Sequence, residues 1–220
     1  MGLWDIELEV LQSGYKTVCG VDEAGRGPLA GPVCAAAVIL PPGIEIKGLN
    51  DSKKLSEKKR EELYAEITEK SLYYGIAFAS VDEIEKLNIL GATFLAMNRA
   101  ISKLGIFPEL ALIDGNQSKG IDCNCRCIVG GDAKCASIAA ASILAKVTRD
   151  RLMVEYDKEY PQYGFAKHKG YGTKAHKEAL MRFGPCGIHR PSFLSKIFPE
   201  GSSWIRSLPA VSANSRPQNI

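Results

Sequence analysis

Nine consecutive residues, Ser137-Ile138-Ala139-Ala140-Ala141-Ser142-Ile143-Leu144-Ala145, carry no charge and no side chain larger than leucine or isoleucine. Alanine and leucine favour helix, and a helix that is apolar nearly all round has no face to give to water. The stretch therefore predicts the buried, closely packed first half of a long helix over 136–160. Its second half, 149–159, is charged and expected to be exposed. Residues 33–40 set a similar condition for a strand. They form an apolar run rich in Ala and Val, closed by Pro41-Pro42-Gly43, as suits a strand buried on both faces and ended by a turn.

Other elements fall around these two. Residues 18–21 read as a short strand running into Asp22-Glu23, and 73–80 as a third. Ser56 is a good N-cap for a polar helix, with Lys59 at N3 in place of the Glu of a capping box and with Leu63 and Ile67 inward. Residues 20–80 thus give strand, strand, helix, strand, without the strict alternation of a purely parallel fold. Leu87, Leu90, Phe94, Met97, Ile101 and Leu104 step by three and four, so 81–105 predicts one helix with one apolar stripe, capped by Asp82 and ended by Gly105. Short strands are expected at 110–113 and 126–129, and a shorter helix at 173–183. The tail 201–220 lacks periodicity and reads as flexible.

Composition narrows the class. A chain of 220 residues is long enough for one buried core, and 45% apolar with 24% charged residues suits a soluble globular protein. No apolar run approaches the roughly 20 residues of a membrane helix, and no secretory signal is visible. Seven cysteines, an odd number, read as free thiols in a reducing cytoplasm. Cys123, Cys125 and Cys127 alternate, a poor match to zinc-ligand spacing. A net charge of +3 is too mild to announce a nucleic-acid binder. A basic patch does stand out at Lys167, His168, Lys169, Lys174, His176 and Lys177. It reads as a solvated face or as a phosphate-binding one, with the three histidines at phosphate or surface positions.

Asp22, Asp114 and Asp132 each follow an expected strand, and Glu23 stands beside the first. Strand ends are where functional side chains gather in mixed α/β proteins. Converging carboxylates repel and raise one another's pKa, and an oxygen-only donor set relieves that repulsion with Mg²⁺ or Mn²⁺. Taken singly, each Asp also fits a cap or turn. Gly25-Arg26-Gly27 is an ordinary turn in isolation. Directly after the carboxylates, its amides and guanidinium would face whatever a metal holds. Lys134 suits a phosphate contact or a pair with a neighbouring Asp, and Lys53 a phosphate contact or a solvated helix-entry turn. Tyr171, between two glycines in the basic patch, suits stacking on a base or sugar.

In order and spacing, these motifs resemble one family. Asp22-Glu23-Ala24-Gly25-Arg26-Gly27, Asp51-Ser52-Lys53-Lys54-Leu55, Ile113-Asp114-Gly115 and Gly131-Asp132-Ala133-Lys134 precede the small-residue helix. His168-Lys169-Gly170-Tyr171-Gly172-Thr173 and Ile188-His189-Arg190-Pro191-Ser192-Phe193 follow it. Together they are similar to ribonuclease HII over about residues 16–198. The resemblance implies an RNase H-like α/β fold, a mixed five-stranded sheet flanked by helices. It implies a catalytic domain over 1–200 that includes a small helical C-terminal extension from about 165. It implies Mg²⁺- or Mn²⁺-dependent cleavage of RNA–DNA hybrids and of duplex DNA with single embedded ribonucleotides, leaving 3′-hydroxyl and 5′-phosphate ends. By the same resemblance Asp22, Glu23, Asp114 and Asp132 are the metal ligands, and Gly25, Arg26 and Gly27 read the ribose 2′-hydroxyl and adjoining phosphate. Tyr171 packs on the following deoxyribose. A cytoplasmic monomer is expected. A sliding-clamp partner is open, with no glutamine-and-aromatic clamp motif visible. Two rivals share the motifs. A type 3 ribonuclease H usually carries a sizeable N-terminal domain, where only some 17 residues precede the first strand here. A catalytically dead hybrid-binding module would not need all four carboxylates.

Overall fold

The computed structural model describes residues 2–49 and 55–195; Lys53 and the 201–220 tail lie outside them. Strands β1 (Val18–Ala24), β2 (Val33–Ile39), β3 (Tyr73–Ala79), β4 (Leu110–Asp114) and β5 (Cys125–Ile128) form one sheet in the order β3-β2-β1-β4-β5. The β1–β2 and β2–β3 pairs are antiparallel, and the β1–β4 and β4–β5 pairs are parallel. The expected α/β class and mixed five-stranded sheet are therefore present. Helices α1 (Asp5–Gln12), α2 (Glu57–Lys70), α3 (Val81–Ser102) and α4 (Ala136–Glu159) cover the sheet. Short helices α5 (Phe165–His168), α6 (Lys174–Phe183) and α7 (Pro191–Leu194) follow as the C-terminal extension.

Strand periodicity explains the layers. All seven residues of β2 are buried, and they alternate between two cores. Val33, Ala35, Ala37 and Ile39 pack with Ala92, Ala96, Met97 and Ile101 of α3. Cys34, Ala36 and Val38 pack on the other face with α4 and with Leu63 and Ile67 of α2. Leu63 and Ile67 are fully buried, each worth about 1.5–3 kcal/mol relative to exposure. Small residues let α4 sit close to the sheet. A Cβ placed on Gly20 of β1 would lie 2.2 Å from the Ser137 backbone, so only glycine fits there. The start of α4 is capped from far away: buried Glu7 of α1 accepts from Ser137 N–H at 2.9 Å and its hydroxyl at 3.0 Å through one oxygen.

Three expectations need correction. The helix over 81–105 breaks at Asn88, with φ 59° and ψ 173°, and the Asn88 side chain accepts from Leu90 and Gly91 N–H to start the second half. Leu87 is consequently 44% exposed, off the stripe that periodicity gave it. The cap is Ser80 in a capping box with Glu83, not Asp82. The second half of α4 is not simply exposed: Arg149, Asp150 and Met153 are buried, Met153 under the C-terminal extension, Arg149 between Lys169 and the loop of Ala30 and Pro32, and Asp150 against Lys146.

Candidate active site

Asp22 and Asp114 each come one residue after the paired Val21 and Ile113 on parallel neighbouring strands, which sets them side by side at the carboxyl ends of β1 and β4. Asp22 is buried, and the Ser142 hydroxyl of α4 hydrogen-bonds it. Burial, then the charges of Glu23 and Asp114, hold its carboxyl well above the usual carboxylate range. Burial also raises Glu23, partly offset by Arg26 beside it. Three of the four expected carboxylates therefore share one electrostatic field. Asp132 is buried in the one-turn 3₁₀ helix Gly131–Ala133. That turn abuts the cluster, since Gly131 N–H donates to Asp114 Oδ1 at 2.7 Å, but Asp132 is not among the groups that raise Asp22.

The carboxylates lean on internal partners. Asp22 Oδ1 accepts from Glu23 N–H at 2.7 Å, and Glu23 Oε1 pairs with Arg26 at 3.2 Å. Among the described residues, no three His, Cys, Asp or Glu side chains are gathered tightly enough to form a ready metal cage. In chemistry the donor set still fits a hard divalent cation. It offers only oxygens, two of its four carboxylates are buried, and Asp22, Glu23 and Asp114 lie in one field of like charge. Lys134 is exposed and donates its ammonium to the Val129 carbonyl at 2.6 Å.

The Gly25-Arg26-Gly27 turn is held from below by two arginines that the sequence reading did not single out. Arg190 donates to the carbonyls of Gly25, Arg26, Pro28 and Gly31 at 2.6–3.0 Å. Arg149 donates to those of Ala30, Pro32 and Lys169 at 3.0 Å. Both side chains are buried, and burial lowers the pKa of each. With the carbonyls of Gly25 and Arg26 engaged inward, Arg26 is left with its guanidinium half exposed. Gly25 has φ +101°, and a Cβ there would lie 2.1 Å from Arg149 Nε. Glycine is thus required on both conformational and steric grounds. Tyr171 is 44% exposed and its Cε1 would be 3.6 Å from a Cβ on Gly27, so the ring flanks the turn. Turn and tyrosine, 144 positions apart in the chain, form one surface.

The histidines depart from expectation. His176 and His189 are buried and hydrogen-bonded to each other, not at surface or phosphate positions. The available signals for the arginines and histidines were weak: a charged residue in a charged helix half, and motifs that composition alone places on the surface.

A mixed five-stranded sheet with helices on both faces and carboxylates at adjacent strand ends is the architecture of the RNase H-like class. The profile of the family described as Ribonuclease HII matches residues 19–196. The chain belongs to that family and is an endoribonuclease, a ribonuclease H. It is 54% identical over 194 residues to "Ribonuclease HII" of Caldicellulosiruptor bescii, covering 88% of this chain and 94% of the relative. Among solved structures it is similar to ribonuclease H2 from Pyrococcus horikoshii, with TM-score 0.66 and 26% identity over 83% of this chain and 97% of that one. It is also similar to the RNase HII of a PCNA:RNase HII complex from Archaeoglobus fulgidus, with TM-score 0.67 and 25% identity over 80% and 94%.

Proposed function

We propose that this ribonuclease H cuts the RNA strand of RNA–DNA hybrids and also cuts at single ribonucleotides embedded in duplex DNA. The observation that carries this reading is the continuity of the surface from the buried carboxylates through the Glu23–Arg26 pair to Tyr171 beside Gly27. In hydrolysis the water oxygen bonds to phosphorus while the P–O3′ bond breaks, and a proton ends on O3′, leaving 3′-hydroxyl and 5′-phosphate ends. Asp22, Glu23, Asp114 and Asp132 are the residues that would hold Mg²⁺ or Mn²⁺. Bound divalent ions supply a water of lowered pKa and positive charge near the leaving oxygen. Ser142 orients Asp22, and Gly131 N–H orients Asp114. Arg26 exchanges Glu23 for a substrate phosphate. The outward face of Gly25-Arg26-Gly27 reads the 2′-hydroxyl, the group that separates RNA from DNA. Tyr171 packs on the next sugar, and Lys53 and Lys134 hold the phosphate backbone.

One catalytic domain over 1–200, with its helical extension from about 165, belongs to the same proposal. So do a monomeric state, a cytoplasmic setting and a sliding-clamp partner, the last supported by the archaeal relative's complex. No helix among the described residues is long and apolar enough to cross a membrane. The deciding assay compares a duplex carrying one ribonucleotide with a long hybrid, in Mg²⁺ and in EDTA. Cleavage of both in Mg²⁺ and of neither in EDTA is expected. Undiminished cleavage in EDTA refutes the metal assignment, and an uncut single-ribonucleotide duplex refutes the substrate reading.

A further inference from the structure

His168, His176 and His189 are packed together, and the reaction above uses none of them. The His168 and His176 rings stack with centroids 4.4 Å apart, and Tyr163 and Phe165 wall the group. His176 and His189 are buried, so neither touches a substrate. Their Nε2 atoms are 3.0 Å apart, and an imidazole–imidazole contact between neutral rings holds one proton between its two nitrogens.

A neighbour decides which ring carries that proton. The Cys186 backbone N–H donates to His189 Nδ1 at 2.9 Å, so that nitrogen presents its lone pair. Neutral His189 therefore carries its proton on Nε2 and donates to His176 Nε2. His176 must then carry its own proton on Nδ1, which lies 2.9 Å from the Tyr171 carbonyl oxygen. The chain of donors runs one way, from Cys186 N–H through His189 and His176 to the Tyr171 carbonyl. Burial supports the neutral forms, pulling His176 down to about 4 and His189 to about 3. The same carbonyl accepts from Thr173 N–H at 2.8 Å.

The residue after His189 is Arg190, which grips the carbonyls under Gly25-Arg26-Gly27. Ala30, from the same loop, pairs with His189 across an isolated β-bridge. One dipeptide thus reaches both halves of the surface: Arg190 holds the glycine turn, and His189 acts through His176 on Tyr171. We propose that His176 and His189 are positioning residues that fix Tyr171 against Gly27 and so set the selectivity for a ribonucleotide followed by deoxyribose. This rests on the reading of Tyr171 given above.

The test pairs His176→Asn with His176→Gln. The Asn amide nitrogen falls near the place of Nδ1 and keeps the donor to Tyr171. The Gln side chain ends near the place of Nε2, keeping His189 and losing Tyr171. With kcat/KM measured on both substrates, H176Q is expected to lose about tenfold at the embedded ribonucleotide relative to the long hybrid, as for a displaced positioning contact, while H176N keeps the wild-type ratio. A merely packing role would lower Tm and move both substrates together, so equal ratios in the two variants overturn the proposal. Long-range ¹H–¹⁵N spectra of the wild type give an independent reading that survives misfolding of either variant. Protons on His189 Nε2 and His176 Nδ1 are expected, and the opposite tautomers overturn the relay. A wild type that ignores the embedded ribonucleotide would instead count against the substrate reading, with the spectra still deciding the relay.

Discussion

The carboxylate cluster and the clamp under the glycine turn are both charged and meet where β1 runs into that turn, yet they are built on opposite terms. In the cluster, like charges are forced together and burial pushes Asp22 and Glu23 toward their protonated forms. In the clamp, two buried guanidiniums meet eight carbonyl contacts with good geometry. The first region is costly to the fold, because burial and like charge both oppose its ionised form. The second is saturated internally and gives the turn a fixed shape. Removing a charge should therefore help stability in one place and harm it in the other.

The largest effect expected is on activity. Asp22→Asn should reduce cleavage by about 10³-fold or more, roughly 4 kcal/mol of barrier, while duplex binding persists in a gel-shift assay; wild-type turnover by the variant would remove Asp22 from the metal set. Next comes Arg190→Lys, which keeps a charge but loses the planar fork. Leaving buried carbonyls unmatched should cost about 3 kcal/mol, or roughly 6–12 °C of Tm in a domain of this size. A shift under about 2 °C would deny the clamp its structural weight. Tyr171→Ala should lose about 1–3 kcal/mol of stacking on a sugar or base, read as a roughly 5- to 160-fold lower kcat/KM at a single embedded ribonucleotide. An unchanged value there would end its assigned role.

The smallest effect carries the contrast into pH. Asp22 is raised in the folded protein, so the folded chain takes up its proton at higher pH than the unfolded chain does. Its burden is present at neutral pH and is relieved as pH falls toward the ordinary value of 3.8. In metal-free buffer, Asp22→Asn should be more stable than wild type at neutral pH, with the gap closing in acid. His176 and His189 have the opposite sign. Their folded values of about 4 and about 3 lie below 6.5, so their contribution is complete above 6.5 and is lost as pH falls toward 4 and 3. Denaturant melts from pH 7.5 to 4 should show His176→Asn losing less stability across that range than wild type. Parallel curves would mean the rings are not held neutral.

Legibility followed the kind of physics involved. Asp22, Glu23 and Asp114 could be read because two facts were local: an apolar run and the carboxylates that end it. The double-faced burial of β2 was likewise written in its Ala and Val. The inversion at Arg149, read as exposed and found buried, came from carbonyls of Ala30 and Pro32 nearly 120 positions earlier. No window along the chain contains those acceptors. The histidines failed for another reason: the partners of His176 and His189 are near in sequence, at Tyr171, Cys186 and each other, but only the folded extension turns those rings inward. Asn88 failed differently: its side chain competes locally with the helix ladder, which a count of apolar spacing does not register.

The Glu7 cap on α4 has a kinetic consequence. Glu7 and Ser137 are 130 positions apart, so the contact closes one of the longest loops in the molecule, and that loop entropy opposes its early formation. The helix whose interior carries Ser142 must form before its first turn is satisfied. A contact that forms after the folding barrier acts on the rate of opening and not on the rate of folding. The N-terminal helix should therefore behave as a latch: it governs how long the assembled site lasts and has little say in how fast the site is first built.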